Sequence, residues 1–266
     1  MSEKKNPSPR KRGRRSPIAI VLLVGIGLLT TGAAYGMATT ATASADIDLS
    51  SPSVIDQGGR LFAANCATCH GMQAQGTQAG PSLIGVGAAA VDFQVGTGRM
   101  PMQATGPQAP QKPVQFTDAQ VKALAAYVAS LGPGPSIPSQ SALEGGDVAN
   151  GGELFRINCA MCHNVAGAGG ALTEGKYAPE LKNSAAVHVY EAMLTGPQNM
   201  PVFNDLNLTP SDKKDVVAYL EYLKANPSPG GLELSAIGPV SEGLFMWVLG
   251  LGAIIGLTIW ITAKSN

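Results

Sequence analysis

Two copies of one pentapeptide constrain this chain more than any other feature of its sequence. Residues 66–70 read CATCH and residues 159–163 read CAMCH, so both have the pattern C-x-x-C-H. Together the two copies contain all four cysteines of the chain and two of its three histidines. The segment GGRLF (58–62) precedes the first copy, and GGELF (151–155) precedes the second at the same distance. The chain therefore contains an internal repeat, and its cysteines belong to that repeat.

The repeat continues downstream, where TDAQVKALAAYVASL (117–131) corresponds to TPSDKKDVVAYLEYL (209–223). In both segments apolar residues recur at helical spacing, and an acid follows in the first turn. Thr117 can cap the first helix and Ser211 can cap the second, because a hydroxyl accepts a hydrogen bond from a free backbone N–H. Each repeat is predicted to hold a helix with the pentapeptide, a long loop and an amphipathic helix.

Two uncharged apolar runs flank the repeats, at residues 17–38 and 244–263. Each is about 20 residues long, which at a rise of roughly 1.5 Å per residue matches a hydrocarbon core about 30 Å thick. Both runs are predicted to be transmembrane helices. The first has an alternative, because a basic segment, the apolar core at 18–29 and the small residues ATASA (41–45) are also typical of a cleavable signal peptide.

Charge is sorted along the chain, although its totals of 18 basic and 18 acidic residues are equal. Seven basic residues lie in the first 15 positions, whereas residues 38–240 contain 16 acids against 10 bases. The basic arm (1–16) puts the N-terminus in the cytoplasm by the positive-inside bias. Two spans then return the C-terminus to the cytoplasm and place residues 39–243 outside. A nucleic-acid-binding arm is the competing interpretation, and the apolar run directly behind the arm argues against it.

The cysteine spacing points to a covalently bound cofactor. Cysteines in an exported chain usually form disulfides, but C-x-x-C-H is typical of c-type haem attachment. Two thiols one helical turn apart can add to the two vinyl groups of one haem, and the adjacent histidine then falls under the iron. A redox dithiol is an alternative for a single copy, and a zinc site would lack its usual fourth ligand. The sequence predicts two haem c groups, attached through Cys66, Cys69, Cys159 and Cys162, with His70 and His163 as iron ligands.

The order of features in each repeat resembles the class I cytochrome c fold. In that fold an N-terminal helix ends in C-x-x-C-H, and a C-terminal helix packs across it. The resemblance covers residues 54–131 and 148–225. It implies a small, mainly helical domain for each repeat, in which the haem supplies apolar bulk that about 75 residues lack.

The same resemblance implies that a methionine of a Met-Pro pair is the sixth ligand of each haem iron. GRMPM (98–102) and QNMPV (198–202) occupy corresponding positions in the two repeats. Met100 and Met200 are the expected axial ligands, since they align with each other and each precedes a proline. Met102 is the alternative in the first repeat.

Three further residues carry expectations about the haem sites. Pro81 and Pro179 resemble the loop proline of the family, whose carbonyl orients the proximal histidine. The third histidine, His188, is expected to be an ordinary polar residue on a helix at 185–194. The alternative, in which His188 replaces Met200 as an iron ligand, stays open.

Stretches rich in proline, glycine and serine separate the structured parts. LGPGPSIPSQSALEGG (131–146) is expected to be a semi-rigid linker without structure of its own, and ANPSPGG (225–231) leads to the C-terminal run. The predicted organisation is mainly helical: basic arm 1–16, transmembrane helix 17–38, cytochrome c domain 54–131, linker 132–147, cytochrome c domain 148–225 and transmembrane helix 244–263.

This full arrangement resembles the dihaem cytochrome c subunit of the actinobacterial cytochrome bc complex, a menaquinol–cytochrome c reductase. GGRLFAANCATCHG and GGELFRINCAMCHN, with GRMP and NMP, carry the resemblance. It implies a cell-membrane electron-transfer subunit of that translocase, with no substrate-transforming site of its own. The implied partners are the Rieske iron–sulfur subunit, the cytochrome b subunit and the copper centre of a haem–copper oxidase. A dimeric complex would follow only from the family, and no nucleic acid or small-molecule substrate is expected.

Other functions stay open. A dihaem peroxidase would need one haem with a displaceable ligand, whereas two His/Met haems leave no open iron position. An electron-transfer subunit of another extracytoplasmic dehydrogenase would have the same ligands. In a docking or assembly protein, the haems would be structural only.

Overall fold

The computed structural model describes residues 17–43, 47–104, 106–227 and 239–264. The predicted basic arm (1–16), the end of ATASA and most of the second linker lie outside these residues. The chain divides into two compact units, residues 1–47 and residues 48–266.

The described part of the first unit, residues 17–43 and 47, contains the helix α1 (Pro17–Ala43). Its candidate membrane span, Pro17–Gly36, has a mean hydropathy of 2.1, although a signal sequence has the same properties. The hydroxyls of Thr30 and Thr31 donate to carbonyl oxygens one turn earlier, at 2.9 and 2.7 Å, so these polar groups are paired within the helix. The helix continues past the predicted end at residue 38, because no glycine or proline follows before Ala43.

The first repeat contains the helices α2 (Pro52–Asn65), α3 (Ala67–His70), α4 (Gly87–Gly96) and α5 (Asp118–Ser130). Thr117 begins α5 with a capping box shared with Gln120, as its position predicted. Helices α2 and α5 cross closely at Gly58, where an added Cβ would lie 1.9 Å from the carbonyl oxygen of Ala123. Phe62 and Tyr127 pack beside this crossing, with their ring centroids 5.2 Å apart.

The second repeat has the same architecture. Its helices are α6 (Val148–Asn158), α7 (Ala160–His163), α8 (Ala186–Thr195) and α9 (Pro210–Ala225), with a short antiparallel pair of strands, β1 (Gly170–Ala171) and β2 (Tyr177–Ala178).

The crossing of α6 and α9 repeats the geometry of the first crossing. An added Cβ at Gly151 would lie 1.9 Å from the carbonyl oxygen of Asp215, and the rings of Phe155 and Tyr219 are 5.5 Å apart. The predicted cap Ser211 is wrong. Thr209 caps α9 instead, through a capping box with Asp212, because Pro210 fits the first helical position.

The linker between the repeats is more ordered than expected. It contains a 3₁₀ turn at Gln140–Ala142, and the backbone N–H of Ala89 donates to Pro135 O at 3.1 Å. Ile137 packs against the core of the first repeat, and Leu143 packs against that of the second. These contacts hold the linker against both repeats, so it does have structure of its own.

The C-terminal span is continuous through α10 (Pro239–Met246), a π-helical turn (Trp247–Leu251) and α11 (Gly252–Ala263). Its candidate membrane segment, Gly243–Ala263, has a mean hydropathy of 2.2. Lys264 ends it with its ammonium group 4.9 Å from the centroid of the Trp260 ring. The chain is thus mainly helical, with two helical repeats and an apolar helix towards each terminus, which confirms the predicted fold class.

Candidate cofactor sites in the two repeats

Each pentapeptide forms a tight turn at the junction of two helices. Cys66 ends α2 and begins α3, and the backbone N–H groups of Cys69 and His70 donate to Cys66 O at 3.2 and 3.0 Å. Cys162 and His163 make the same bonds to Cys159 O, at 3.1 and 2.9 Å.

All four cysteines are free thiols. Burial, and then the neighbouring cysteine of each pair, raises the pKa of Cys66 and of Cys159 to about 11. Both groups are therefore thiols rather than thiolates at neutral pH. Cys69 and Cys162 are exposed, so one sulfur of each pair is accessible from outside the core.

The two pentapeptide histidines are oriented by proline carbonyls. His70 Nδ1 lies 2.8 Å from Pro81 O, and His163 Nδ1 lies 3.0 Å from Pro179 O. Since a carbonyl only accepts, Nδ1 must carry the proton, which leaves Nε2 with its lone pair for a metal. Burial lowers the pKa of His163, although the bond to Pro179 opposes this, so its imidazole is neutral. The expectation for Pro81 and Pro179 is confirmed.

The two Met-Pro loops place a methionine against each core. Met100 packs against the core of the first repeat, and Met200 packs against that of the second. Met102 is half-buried but is not among the residues that pack against the first core. Gly98 makes the turn before Met100: its φ is +71°, and an added Cβ would lie 1.9 Å from Lys112 O.

A cavity of about 270 Å³ brings the predicted residues of the second repeat together. Cys159, Cys162, His163 and Met200 all line it. Its other walls are largely apolar, formed among others by Phe155, Leu181, Met193, Phe203, Val216 and Leu220. Two thiols, an imidazole with a free Nε2 and a thioether around an apolar space are a donor set that fits a haem c group.

The third histidine lies at the contact between the repeats. His188 is on α8, where its ring meets Phe93 of α4 edge-on, with ring centroids 6.1 Å apart. Ligand atoms of Asp92, His188 and Glu191 lie within 4.8 Å of one another. The interpretation of His188 as an ordinary helix residue missed this cluster, because α4 and α8 meet only in the tertiary structure.

The two acids of this cluster are both buried, and only one of them has a cationic partner. Asp92 is paired with Lys122, whose Nζ lies 2.9 Å from Oδ1. Glu191 is fully buried, and its carboxyl group lies against that of Asp92 without a well-aligned hydrogen bond to any described residue. Burial, and then the negative charge of Asp92, raises the pKa of Glu191 to about 10. Glu191 is therefore protonated at neutral pH.

Residues of the first repeat also line the cavity of the second, which the sequence did not predict. They include Phe93, Thr97, Arg99, Gln108 and Gln111. Spacing along the chain carries no information about such a contact between repeats.

Comparison with known proteins covers both repeats and the whole chain. The cytochrome c family model matches residues 55–132, and the model for cytochrome c oxidase, cbb3-type, subunit III matches residues 146–220. A cytochrome bc1 complex cytochrome c subunit of Corynebacterium efficiens is 46% identical over 284 residues, covering 99% of this chain and 94% of that protein. One from Mycobacterium tuberculosis is 46% identical over 270 residues, covering 98% and 96%. Cytochrome c6 of Limnospira maxima is 38% identical over 82 residues, covering 28% of this chain and 91% of that protein.

Proposed function

Because this chain belongs to the family of cytochrome bc1 complex cytochrome c subunits, we propose that it is the dihaem electron-transfer subunit of a menaquinol–cytochrome c reductase. In this proposal the chain receives single electrons from the Rieske iron–sulfur subunit and delivers them to the copper centre of a haem–copper oxidase. The cytochrome b subunit is a further partner. The chain itself transforms no substrate.

Each repeat holds one haem c in this proposal. The pairs Cys66 and Cys69, and Cys159 and Cys162, attach the two groups through thioether bonds. The axial ligands are His70 with Met100 in the first repeat and His163 with Met200 in the second. A haem iron held by imidazole and thioether supplies one-electron redox chemistry at a raised potential, without an open position for oxygen or peroxide.

The observation that carries the proposal is the cavity of the second repeat. One apolar space is lined by Cys162 and His163 of the pentapeptide and by Met200 of the distant Met-Pro loop. The hydrogen bond from His163 Nδ1 to Pro179 O leaves Nε2 unprotonated, as an iron ligand requires. Met100 is preferred over Met102 because it packs against its core in the same way as Met200.

The two apolar helices support a membrane location. For the sidedness we propose that both termini are cytoplasmic and that both repeats face outside. The basic residues before α1 favour this orientation. It would place the haem sites on the side where the proposed electron donor and acceptor lie.

The experiment is purification of the tagged full chain from membranes of its host. We expect two covalent haems per chain, low-spin ferric spectra and co-purified Rieske, cytochrome b and oxidase subunits. The variants Met100→His and Met200→His should each remove about half of the Met–Fe(III) charge-transfer band, whereas the control Met102→Leu should keep it. One haem per chain, a high-spin iron with peroxidase activity, or a chain that purifies alone would contradict the proposal.

A further inference from the structure

The first repeat contains a buried cation that has no anionic partner among the described residues. Arg99 is 8% exposed, and its guanidinium carbon lies 4.8 Å from the centroid of the Phe93 ring. It forms no hydrogen bond or salt bridge with any residue that the structure describes. Burial lowers the pKa of Arg99, but a guanidinium keeps its charge inside proteins. A counter-charge would stabilise a guanidinium that is so largely shielded from water.

Arg99 belongs to the first repeat by sequence but lines the cavity of the second. It shares this cavity with His163 and Met200. Lys176 is a second cation in the lining, but its ammonium group is paired with Glu174 at 3.3 Å, so Arg99 is the cation there that lacks a partner among the described residues. None of the described lining residues is aspartate or glutamate. The cavity therefore combines apolar walls with positive charge. A ligand with an apolar body and carboxylate groups matches both properties.

Local structure holds Arg99 in place. The Thr97 hydroxyl donates to Phe93 O at 2.5 Å, and the turn at Gly98 follows directly. Farther along the same loop, the backbone N–H of Ala109 donates to Gln198 Oε1 at 3.3 Å, which ties the loop to the second repeat. The guanidinium is thus presented by an ordered segment.

We propose that Arg99 of the first repeat binds a propionate carboxylate of the haem in the second repeat, so that both repeats build the second haem site. This inference rests on the proposed function, because it needs a haem in the second repeat. A guanidinium can bind a carboxylate through two parallel hydrogen bonds. Its positive charge also disfavours the ferric over the ferrous state, so contact with the propionate raises the reduction potential of the second haem.

Glu180 is the competing partner within the chain. It lines an adjoining cavity together with Arg99, but it is exposed and forms no salt bridge with it. Glu180 therefore leaves the buried charge uncompensated in the described structure. If it were the true partner, Glu180→Gln would have the effect expected of Arg99→Gln.

The test measures the midpoint potentials of both haems in the purified full chain. Arg99→Gln removes the guanidinium charge from the cavity. The control, Arg60→Gln, removes a guanidinium charge from an exposed ion pair with Asp56 on α2. Met200→His identifies the component that belongs to the second repeat. Resonance Raman spectra record the propionate bending modes in the same samples.

We expect Arg99→Gln to lower the midpoint potential of the second-repeat haem and to shift one propionate bending mode. Arg99→Lys should partly restore both the potential and the mode. Arg60→Gln and Glu180→Gln should leave both unchanged. If Arg99→Gln does not fold, the propionate mode of Arg99→Lys decides in its place, because lysine keeps the charge without the planar fork.

If Arg99→Gln holds two haems per chain and the midpoint potential of its second-repeat haem is unchanged, the inference is overturned and the proposed function stays intact. A shift of the first component alone would also overturn it, since it would reflect the neighbouring Met100. A chain with fewer than two haems would instead contradict the proposed function.

Discussion

The side-chain amide of Gln108 makes two hydrogen bonds with the main chain of Tyr177. Nε2 donates to Tyr177 O, and Oε1 accepts from the N–H of Tyr177, both at 2.8 Å. Gln108 belongs to the first repeat, whereas Tyr177 begins β2 in the wall of the second cavity. The first repeat therefore holds in place part of the cofactor site of the second.

Replacing Gln108 with alanine should loosen this wall. Two hydrogen bonds worth about 1 kcal/mol each would be lost, and the amide of Tyr177 would exchange with solvent faster. Hydrogen–deuterium exchange of the full chain measures this directly. Gln78→Ala, at an exposed glutamine of the first repeat, is the control. Unchanged exchange at Tyr177 in Gln108→Ala would show that other contacts hold the wall.

The local features of this fold could be predicted from the sequence, whereas the contacts between distant segments could not. The pentapeptides and the helix pattern follow from spacing along the chain, and the roles of Pro81 and Pro179 follow from the family resemblance, so the sequence was sufficient for them. The choice of Thr209 over Ser211 as a cap depends on where Pro210 fits best, which periodicity alone does not show.

The contact between the repeats could not be predicted in this way. Asp92 and Glu191 lie on α4 and α8, and no shared motif or spacing connects the two helices. The location of Arg99 could not be predicted from the sequence either. Its neighbour Met100 packs against the core of the first repeat, whereas Arg99 lines the cavity of the second. Predicting such pairs requires knowledge of how the two repeats pack.

The buried carboxyl of Glu191 should make stability depend on pH. Its pKa rises from 4.5 to about 10 on folding, so the folded chain binds a proton that the unfolded chain releases between these values. The stabilisation from this proton is complete below pH 4.5 and is lost as pH rises towards 10. The slope from one such group is at most about 1.4 kcal/mol per pH unit.

Glu191→Gln removes this proton linkage and keeps the shape of the side chain. Its stability relative to the unmodified chain should increase from pH 5 to pH 9, as measured by guanidinium titrations followed by far-UV circular dichroism. Glu153→Gln, at an exposed site on α6, is the matched control and should show no such trend. Parallel pH profiles for Glu191→Gln and the unmodified chain would contradict the assignment.

The crossing of α2 and α5 should not accept a methyl group at Gly58. In Gly58→Ala the new Cβ would lie 1.9 Å from Ala123 O, so the helices must separate, at a cost of about 1–3 kcal/mol. At the adjacent Gly59 the nearest atoms belong to the Tyr127 ring at 3.3 Å, which can move. Gly59→Ala should therefore be nearly neutral, since alanine also favours the helix by up to about 1 kcal/mol. Denaturant titrations of both variants measure the difference, and equal losses of stability would refute the close crossing.

The ion pair between Lys213 and Asp205 should contribute more to the free energy of unfolding than the exposure of Asp205 suggests. Lys213 Nζ lies 2.6 Å from Asp205 Oδ1, with the lysine side chain fully buried and that of Asp205 68% exposed. Asp205→Asn would leave a buried ammonium group without its carboxylate, so we expect a loss of about 1–3 kcal/mol. Lys213→Met removes the charge and keeps the apolar stem, so the unpaired charge disappears and the loss should be smaller.

The exposed pair of Asp56 and Arg60 provides the comparison for this prediction. Both of its side chains are about 70% exposed, at 71% and 68%, and such pairs contribute about 0–1 kcal/mol. Asp56→Asn should therefore change the free energy of unfolding less than Asp205→Asn does, in titrations of the full chain followed by far-UV circular dichroism. If Asp205→Asn costs no more than Asp56→Asn, water or another group must already stabilise the Lys213 ammonium. If Lys213→Met costs as much as Asp205→Asn, the loss comes from packing rather than from an unpaired charge.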